Sequence, residues 1–431
     1  MLKICQKELD ERIDLNFRRL ADDPYYGIDQ VFTPIDYSWM GDKEGRALLA
    51  FVSHYKMSGR KIDCMEKMMA KMPERLNALG YLGACGDGLF REEQLSGHSW
   101  LLRGLCEYYE QFDDERALLH IKNVVNNLYM PLKGEIAGYP VERGGQNTGG
   151  VSGEEIGKRD RWLLSSDTCA AFMSIDGLTH AYAITRDDRT KELVDEMIFF
   201  YSSLDKVSIK AQTHCTLTSG RGMMRMYGVT GDDFYLECAK KIWDCYENCG
   251  GMTYSYQNAN WWGRHDSWTE PCAVVDSLML ALEIYKATND CHYRTMAARV
   301  WHNGFATLQR PNGGAGPDDI VSHESGKTTL ALQMYEAPFC CTMRLAEGLW
   351  YVRKNSDLLF AETSGKVEKN EKGIYSDGDI IYAELGGGAE DFADTERAVN
   401  VDGHRLFPIV KLYRMDDAVA TSARQRIVFD T

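Results

Sequence analysis

Asp232-Asp233-Phe234-Tyr235-Leu236-Glu237-Cys238-Ala239-Lys240-Lys241-Ile242-Trp243 is echoed 58 residues later by Asp290-Cys291-His292-Tyr293-Arg294-Thr295-Met296-Ala297-Ala298-Arg299-Val300-Trp301. The aspartate, tyrosine, alanine and tryptophan keep their mutual offsets, and steps of four put the last three on one helical face, as core-stripe residues. A helix hairpin that recurs at this period stacks on its neighbours, in an open solenoid or a closed ring.

Working outward, helix-length apolar patterns fall at 2–20, 43–58, 61–79, 97–112, 114–130, 166–185, 188–204, 212–228, 232–248, 270–287, 290–307 and 340–352. Several joints are short and turn-like, such as Phe112-Asp113-Asp114, Arg186-Asp187-Asp188 and Asn289-Asp290, which implies antiparallel pairs. Six pairs fit a mainly α fold, an (α/α)6 toroid over residues 1–352. Beyond Trp350 the pattern changes to short β-prone runs at Gly373-Ile374-Tyr375, Asp379 to Ala383, Phe407 to Leu412 and Arg426 to Phe429. Residues 353–431 are therefore expected to form a small β-rich C-terminal region, which either packs on the toroid or completes a homodimer.

Two stretches carry the chemistry. Thr269-Glu270-Pro271-Cys272 and Pro338-Phe339-Cys340-Cys341 each open a long apolar helix. Pro271 suits a first helical position, where a missing N–H costs nothing, and Glu270 would be the capping residue. Helix N-termini carry partial positive charge, which lowers thiol pKa and favours thiolates. Three sulfurs and one carboxylate suit zinc ahead of magnesium or calcium, which prefer oxygen shells. Spacing alone leaves a second reading open, since thirteen cysteines are scattered through the chain and free cysteine is commonly a core residue.

Composition narrows the function classes. With 431 residues, 44% hydrophobic and 26% charged, the chain can bury a large core. A net charge of −15 leaves no basic stripe for nucleic acid or an anionic membrane surface. No eighteen-residue apolar run and no apolar signal core near Met1 occur, and the cysteine count is odd, so a cytoplasmic location is expected. No Gly-x-Gly-x-x-Gly or P-loop pattern occurs in a nucleotide-binding context.

Glu270-x-Cys272, the Cys340-Cys341 pair, and the segment from Asp290 through Tyr293 to Ala297-Ala298-Arg299-Val300-Trp301-His302-Asn303-Gly304 together resemble glycoside hydrolase family 127, the β-L-arabinofuranosidases, and the related family 146. The resemblance covers roughly residues 80–352 and is strongest from about 230 to 345. It implies the same toroid, a glycoside substrate, and Zn2+ held by Glu270, Cys272, Cys340 and Cys341, with Cys340 as nucleophile of a retaining glycosidase. His214 matches a sugar-binding histidine of that family and His98 is a looser match.

The family's acid/base glutamate has no counterpart here, because Gly250-Gly251-Met252-Thr253-Tyr254-Ser255-Tyr256 contains no glutamate. Asp266, four residues before Glu270, is the first substitute, and Glu336, four before Cys340, the second. The loop from Gly250 to Trp268 is dense in aromatics, and Trp261, Trp262 and His265 are expected to contact sugar. Two other functions compete. A toroidal sugar epimerase would use His98 and His214, and a carbohydrate-binding or scaffold protein would keep the zinc as a structural ion.

Overall fold

A computed structural model describes residues 3–33, 38–143, 153–253, 256–264, 267–305, 308–319 and 336–359, together with the backbone of eight short strands between 368 and 428. Contacts divide the chain into two compact units, one of Met1–Asn16, Met252–Ala259 and His265–Thr431, the other of Phe17–Gly251 and Asn260–Arg264.

Twelve helices of eight residues or more occur among the described residues. They are α1 (Lys3–Asp22), α2 (Asp42–Ser58), α3 (Cys64–Lys71), α4 (Glu92–Phe112), α5 (Glu115–Val124), α6 (Ser174–Thr185), α7 (Asp188–Ser203), α8 (Thr213–Thr230), α9 (Asp233–Asn248), α10 (Pro271–Thr288), α11 (Cys291–Arg299) and α12 (Cys341–Lys354). Each falls on one of the twelve expected patterns. No helix of the described residues is long and apolar enough to cross a membrane.

Burial alternates along the chain. Every residue is buried from Asp42 to His54 in α2, Glu92 to Cys106 in α4, Ser174 to Tyr182 in α6 and Thr213 to Met224 in α8. The same holds from Pro271 to Leu282 in α10 and from Cys341 to Leu349 in α12. A helix enclosed on all sides is a core helix. The helices between them bury one stripe only, as α5 does with Ala117, His120, Ile121 and Val124.

Repeated caps explain the echo in the sequence. The core helices α4, α6, α8 and α10 stop at left-handed residues, Asp113, Arg186, Gly231 and Asn289. Directly after each comes an aspartate, Asp114, Asp187, Asp232 or Asp290, whose carboxylate accepts the N–H two residues on and starts the outer helix. Tyr235, Ala239 and Trp243 are buried, as are Ala297 and Trp301, so the repeat encodes a cap and a core stripe.

Helix ends depart from the sequence expectation where backbone chemistry intervenes. Pro73 shortens the 61–79 pattern to α3 and one 3-10 turn. The pattern from 166 becomes helical only after Cys169, whose φ is +74°, and reaches α6 through a 3-10 turn. The patterns behind α5 and α11 end in π turns at Val125–Tyr129 and Val300–Phe305.

In the larger unit, Phe90–Arg91, Trp162–Ser165 and Glu155–Arg159 form a three-stranded sheet with Trp162–Ser165 in the middle. Gly45 lets α2 lie directly on the α4 backbone at Trp100 and Leu101, where no Cβ fits. In the other unit, the described residues after 359 form short strands, including an antiparallel sheet ordered Arg424–Val428, Ile380–Glu384, Ile374–Asp377 and Glu368–Lys369.

Candidate metal centre

Glu270 and Cys272 are set by the start of α10. Thr269 pairs Asp318 in a two-residue antiparallel ladder, Glu270 stays extended, and Pro271 takes the first helical position. Buried Asn258 fixes this entry, because its Oδ1 accepts the Glu270 backbone N–H at 2.9 Å and the Thr269 hydroxyl at 3.1 Å. Cys272 is then in the first turn and fully buried.

The second pair is set by the segment before α12. Ala337 N–H donates to Ala315 O at 2.8 Å, and the Thr342 hydroxyl donates to Glu336 at 2.8 Å. Asn16, from α1, donates to Gly313 O and Thr342 O at 2.9 and 3.1 Å. Cys340 takes the capping position with φ −145° and ψ −66°, and Cys341 begins the helix.

Two chain segments nearly seventy residues apart thus deliver one cluster. The Cys272 and Cys341 sulfurs are 3.8 Å apart, those of Cys340 and Cys341 3.4 Å, and one donor atom from each of Glu270, Cys272, Cys340 and Cys341 lies within 4.8 Å of the others. A tetrahedral ion with bonds to sulfur of about 2.3 Å holds its sulfurs about 3.8 Å apart, so the donor set and its spacing fit zinc. Burial, and then the Cys272 and Cys340 thiols, hold the Cys341 thiol well above its ordinary value. For Cys341 this outweighs the lowering expected at a helix N-terminus as long as no cation joins the sulfurs.

The remaining predicted residues are placed differently. Glu336 is held on both oxygens, by Thr342 and by the Asn312 amide at 2.7 Å. His265 and Asp266 lie outside the described residues. His98, His214, Trp261 and Trp262 belong to the larger unit. His98 is buried with Nε2 accepting the Leu82 N–H at 3.0 Å and Nδ1 on Gln94 O at 2.8 Å. Burial pushes its pKa down to about 4, so the ring is neutral, and both nitrogens are spent on backbone. His214 stacks on Trp100 at 5.8 Å. Trp261 and Trp262 are fully buried, where exposed stacking rings were expected, because Trp262 N–H bonds Ala211 O and Trp261 bridges Gln212 at the start of α8.

Sequence reading missed Asn258, which bears on Glu270, and the buried Asp276–Arg344 pair. Asp276 left a signal, as a charge inside the apolar run Val274-Val275-Asp276-Ser277-Leu278. A second group of possible donors, Glu107, Glu110 and His180, is tied into contacts of Glu107 with Lys56 and Arg103 and of Glu110 with His180. Burial would raise Glu107, but Arg103, His180 and Lys56 outweigh it and hold its carboxyl below the usual range.

The fold is the α/α toroid that solved glycoside hydrolases and sugar epimerases share. A GH127 β-L-arabinofuranosidase from Geobacillus stearothermophilus T6 superposes with TM-score 0.55 at 12% identity, covering 100% of this chain and 79% of that one. Another GH127 β-arabinofuranosidase gives 0.53 at 12%, covering 88% of this chain, which spans 63% of the length of that enzyme. A sugar epimerase from a ruminal bacterium gives 0.53 at 12%, covering 80% and 98%. No curated protein matches the chain by sequence. Residues 52–352 match the model of the β-L-arabinofuranosidase, GH127 catalytic domain, and the chain belongs to this glycoside hydrolase family.

Proposed function

We propose that the chain is a zinc-dependent retaining glycosidase acting on β-L-arabinofuranosides or a related plant-derived sugar, with Cys340 as nucleophile. The observation that carries this reading is the gathering of Glu270, Cys272, Cys340 and Cys341 within reach of one ion. Bound zinc would keep these sulfurs deprotonated at neutral pH.

Cys340 is the least enclosed of the three thiols, with Cys272 and Cys341 buried, so it is the sulfur a substrate can reach. Its thiolate attacks the anomeric carbon as the glycosidic C–O bond breaks and the leaving oxygen takes a proton. Water then displaces the sulfur from the thioglycosyl enzyme, passing its proton to the carboxylate that gave one up in the first step, and the sugar leaves with retained configuration. The proton donor is Asp266 or Glu336. The two hydrogen bonds on Glu336 favour Asp266, and the pH–rate profiles of D266N and E336Q separate them. The epimerase alternative is disfavoured because both ring nitrogens of His98 are bonded to backbone. The proposal includes the reducing, cytoplasmic compartment expected from the odd cysteine count.

Metal analysis of wild type and C340A, with turnover of p-nitrophenyl β-L-arabinofuranoside, tests the reading. One zinc per wild-type chain and turnover that vanishes in C340A are expected. A folded wild type without zinc overturns it, and sugar binding without turnover favours the carbohydrate-binding alternative.

A further inference from the structure

Below the Cys272–Cys341 contact, the same two helices meet again through charge. Arg344 of α12 pairs with Asp276 of α10, and neither side chain has any exposure. Asp276 lies four residues after Cys272, and Arg344 three after Cys341. Residues at these spacings share a helix face, so the ion pair is the next rung beneath the thiols. Glu347, on α12 itself, provides Arg344 with a second carboxylate.

The pair has no evident need to be there for stability alone. A buried ion pair is weak evidence of stabilisation, and apolar residues of similar volume often serve as well. What it adds is direction. Elsewhere α12 approaches α10 through Gly348, where an added Cβ would meet Val275 at 3.0 Å, and further along through a long, half-buried 3.4 Å bond from the Tyr351 hydroxyl to Glu283. Apolar contact does not fix register, and a single neutral hydroxyl fixes it less tightly than a buried ion pair. A guanidinium fork on a carboxylate does. Slipping one helix by a single residue moves it about 1.5 Å, against a tolerance of about 0.2 Å for a bound metal's ligand distances.

The geometry points to Asp276 and Arg344 as a positioning pair that sets the spacing of the Cys272 and Cys341 sulfurs, and through it the tightness with which the centre holds a thiophilic divalent cation. The pair touches neither cation nor substrate. The inference rests on the metal-centre reading above, and its test is built to fail separately.

Cobalt(II) added to the metal-stripped full chain reports the geometry through thiolate charge-transfer and visible d–d bands. Wild type is expected to show both. D276N, close in shape to the native residue and leaving Arg344 balanced by Glu347, and R344M are expected to weaken or shift the d–d bands and to release cobalt to a chelator about tenfold faster. Their far-UV circular dichroism should match wild type. E347Q keeps the rung between the helices and should retain the wild-type spectrum and release rate.

A second readout needs no metal in the site. Copper–phenanthroline oxidation of the stripped chain should cross-link Cys272 to Cys341, mapped by peptide mass, and D276N should slow this about tenfold, matching the cobalt effect. If wild type gives no thiolate band, the metal-centre reading falls, and the cross-linking rate still decides the positioning role. If wild type gives the band and D276N and R344M match it in spectrum, release and cross-linking, the positioning role is overturned and the metal reading stands.

Discussion

Asn258, itself fully buried, holds Glu270 by the main chain, its Oδ1 accepting the Glu270 N–H at 2.9 Å. The carboxylate that completes the cluster is thereby oriented by a residue twelve positions upstream. N258A removes the acceptor and leaves a buried N–H and the Thr269 hydroxyl without it. A loss of about 1–3 kcal/mol in denaturant unfolding is expected. Zinc affinity should fall about 10–100-fold in chelator competition.

Gly45 is where α2 and α4 touch backbone to backbone. G45A drives a methyl into the main chain of Trp100 and Leu101, and the helices must separate. A destabilisation of about 1–3 kcal/mol is expected, read as a lowered melting temperature. Gly138 has nothing within 4 Å of an added Cβ, so G138A should stay within about 0.5 kcal/mol of wild type.

Glu93 carries a pH dependence of known sign. Burial is the main cause that pushes its carboxyl up to about 7, against hydrogen bonds from Ser38 and Ser165 and with help from Glu92 and Glu155. The folded state thus keeps a proton that the unfolded chain releases above its ordinary value of 4.5. Stability from this group is full below about pH 4.5 and is lost as pH rises through 7. E93Q should flatten that decline, by an amount on the order of 2–3 kcal/mol, in denaturant midpoints measured from pH 4.5 to 8.

His98 works in the opposite direction. Its folded value of about 4 lies below the ordinary 6.5 because burial disfavours the imidazolium. Between those values the unfolded chain takes up a proton that the folded chain refuses, so stability falls as pH drops through this window. Replacing His98 by glutamine should lower stability at neutral pH, through the lost Leu82 and Gln94 bonds, while making the acid limb shallower. Unfolding curves at pH 7 and pH 5 measure both.

The sequence alone determined the helices and which four side chains were candidates for one cluster. Period, turn residues and apolar runs are local, so all twelve helix positions and the core stripe were readable from residues such as Trp243, while the capping role of Asp232 and its counterparts came from the structure. Glu270, Cys272, Cys340 and Cys341 were legible as metal-binding residue types at helix mouths, with family resemblance adding their pairing. Burial was not legible in the same way. Trp261 and Trp262 read as an exposed platform and proved buried, since only the folded chain shows the bridge from Gln212. His98 read as a sugar ligand, yet its ring is taken up by the Gln94 carbonyl one turn back on its own helix and by the Leu82 N–H, which helical spacing does not reveal.

Tertiary structure alone decided the distances. That the Cys272 and Cys341 sulfurs stand 3.8 Å apart depends on two helices from remote segments meeting in register. The same holds for the Asp276–Arg344 rung beneath them. A sequence specifies which side chains each helix offers through local periodicity. How closely two helices approach depends on the packing of everything between and around them, and that is settled only when the chain has folded.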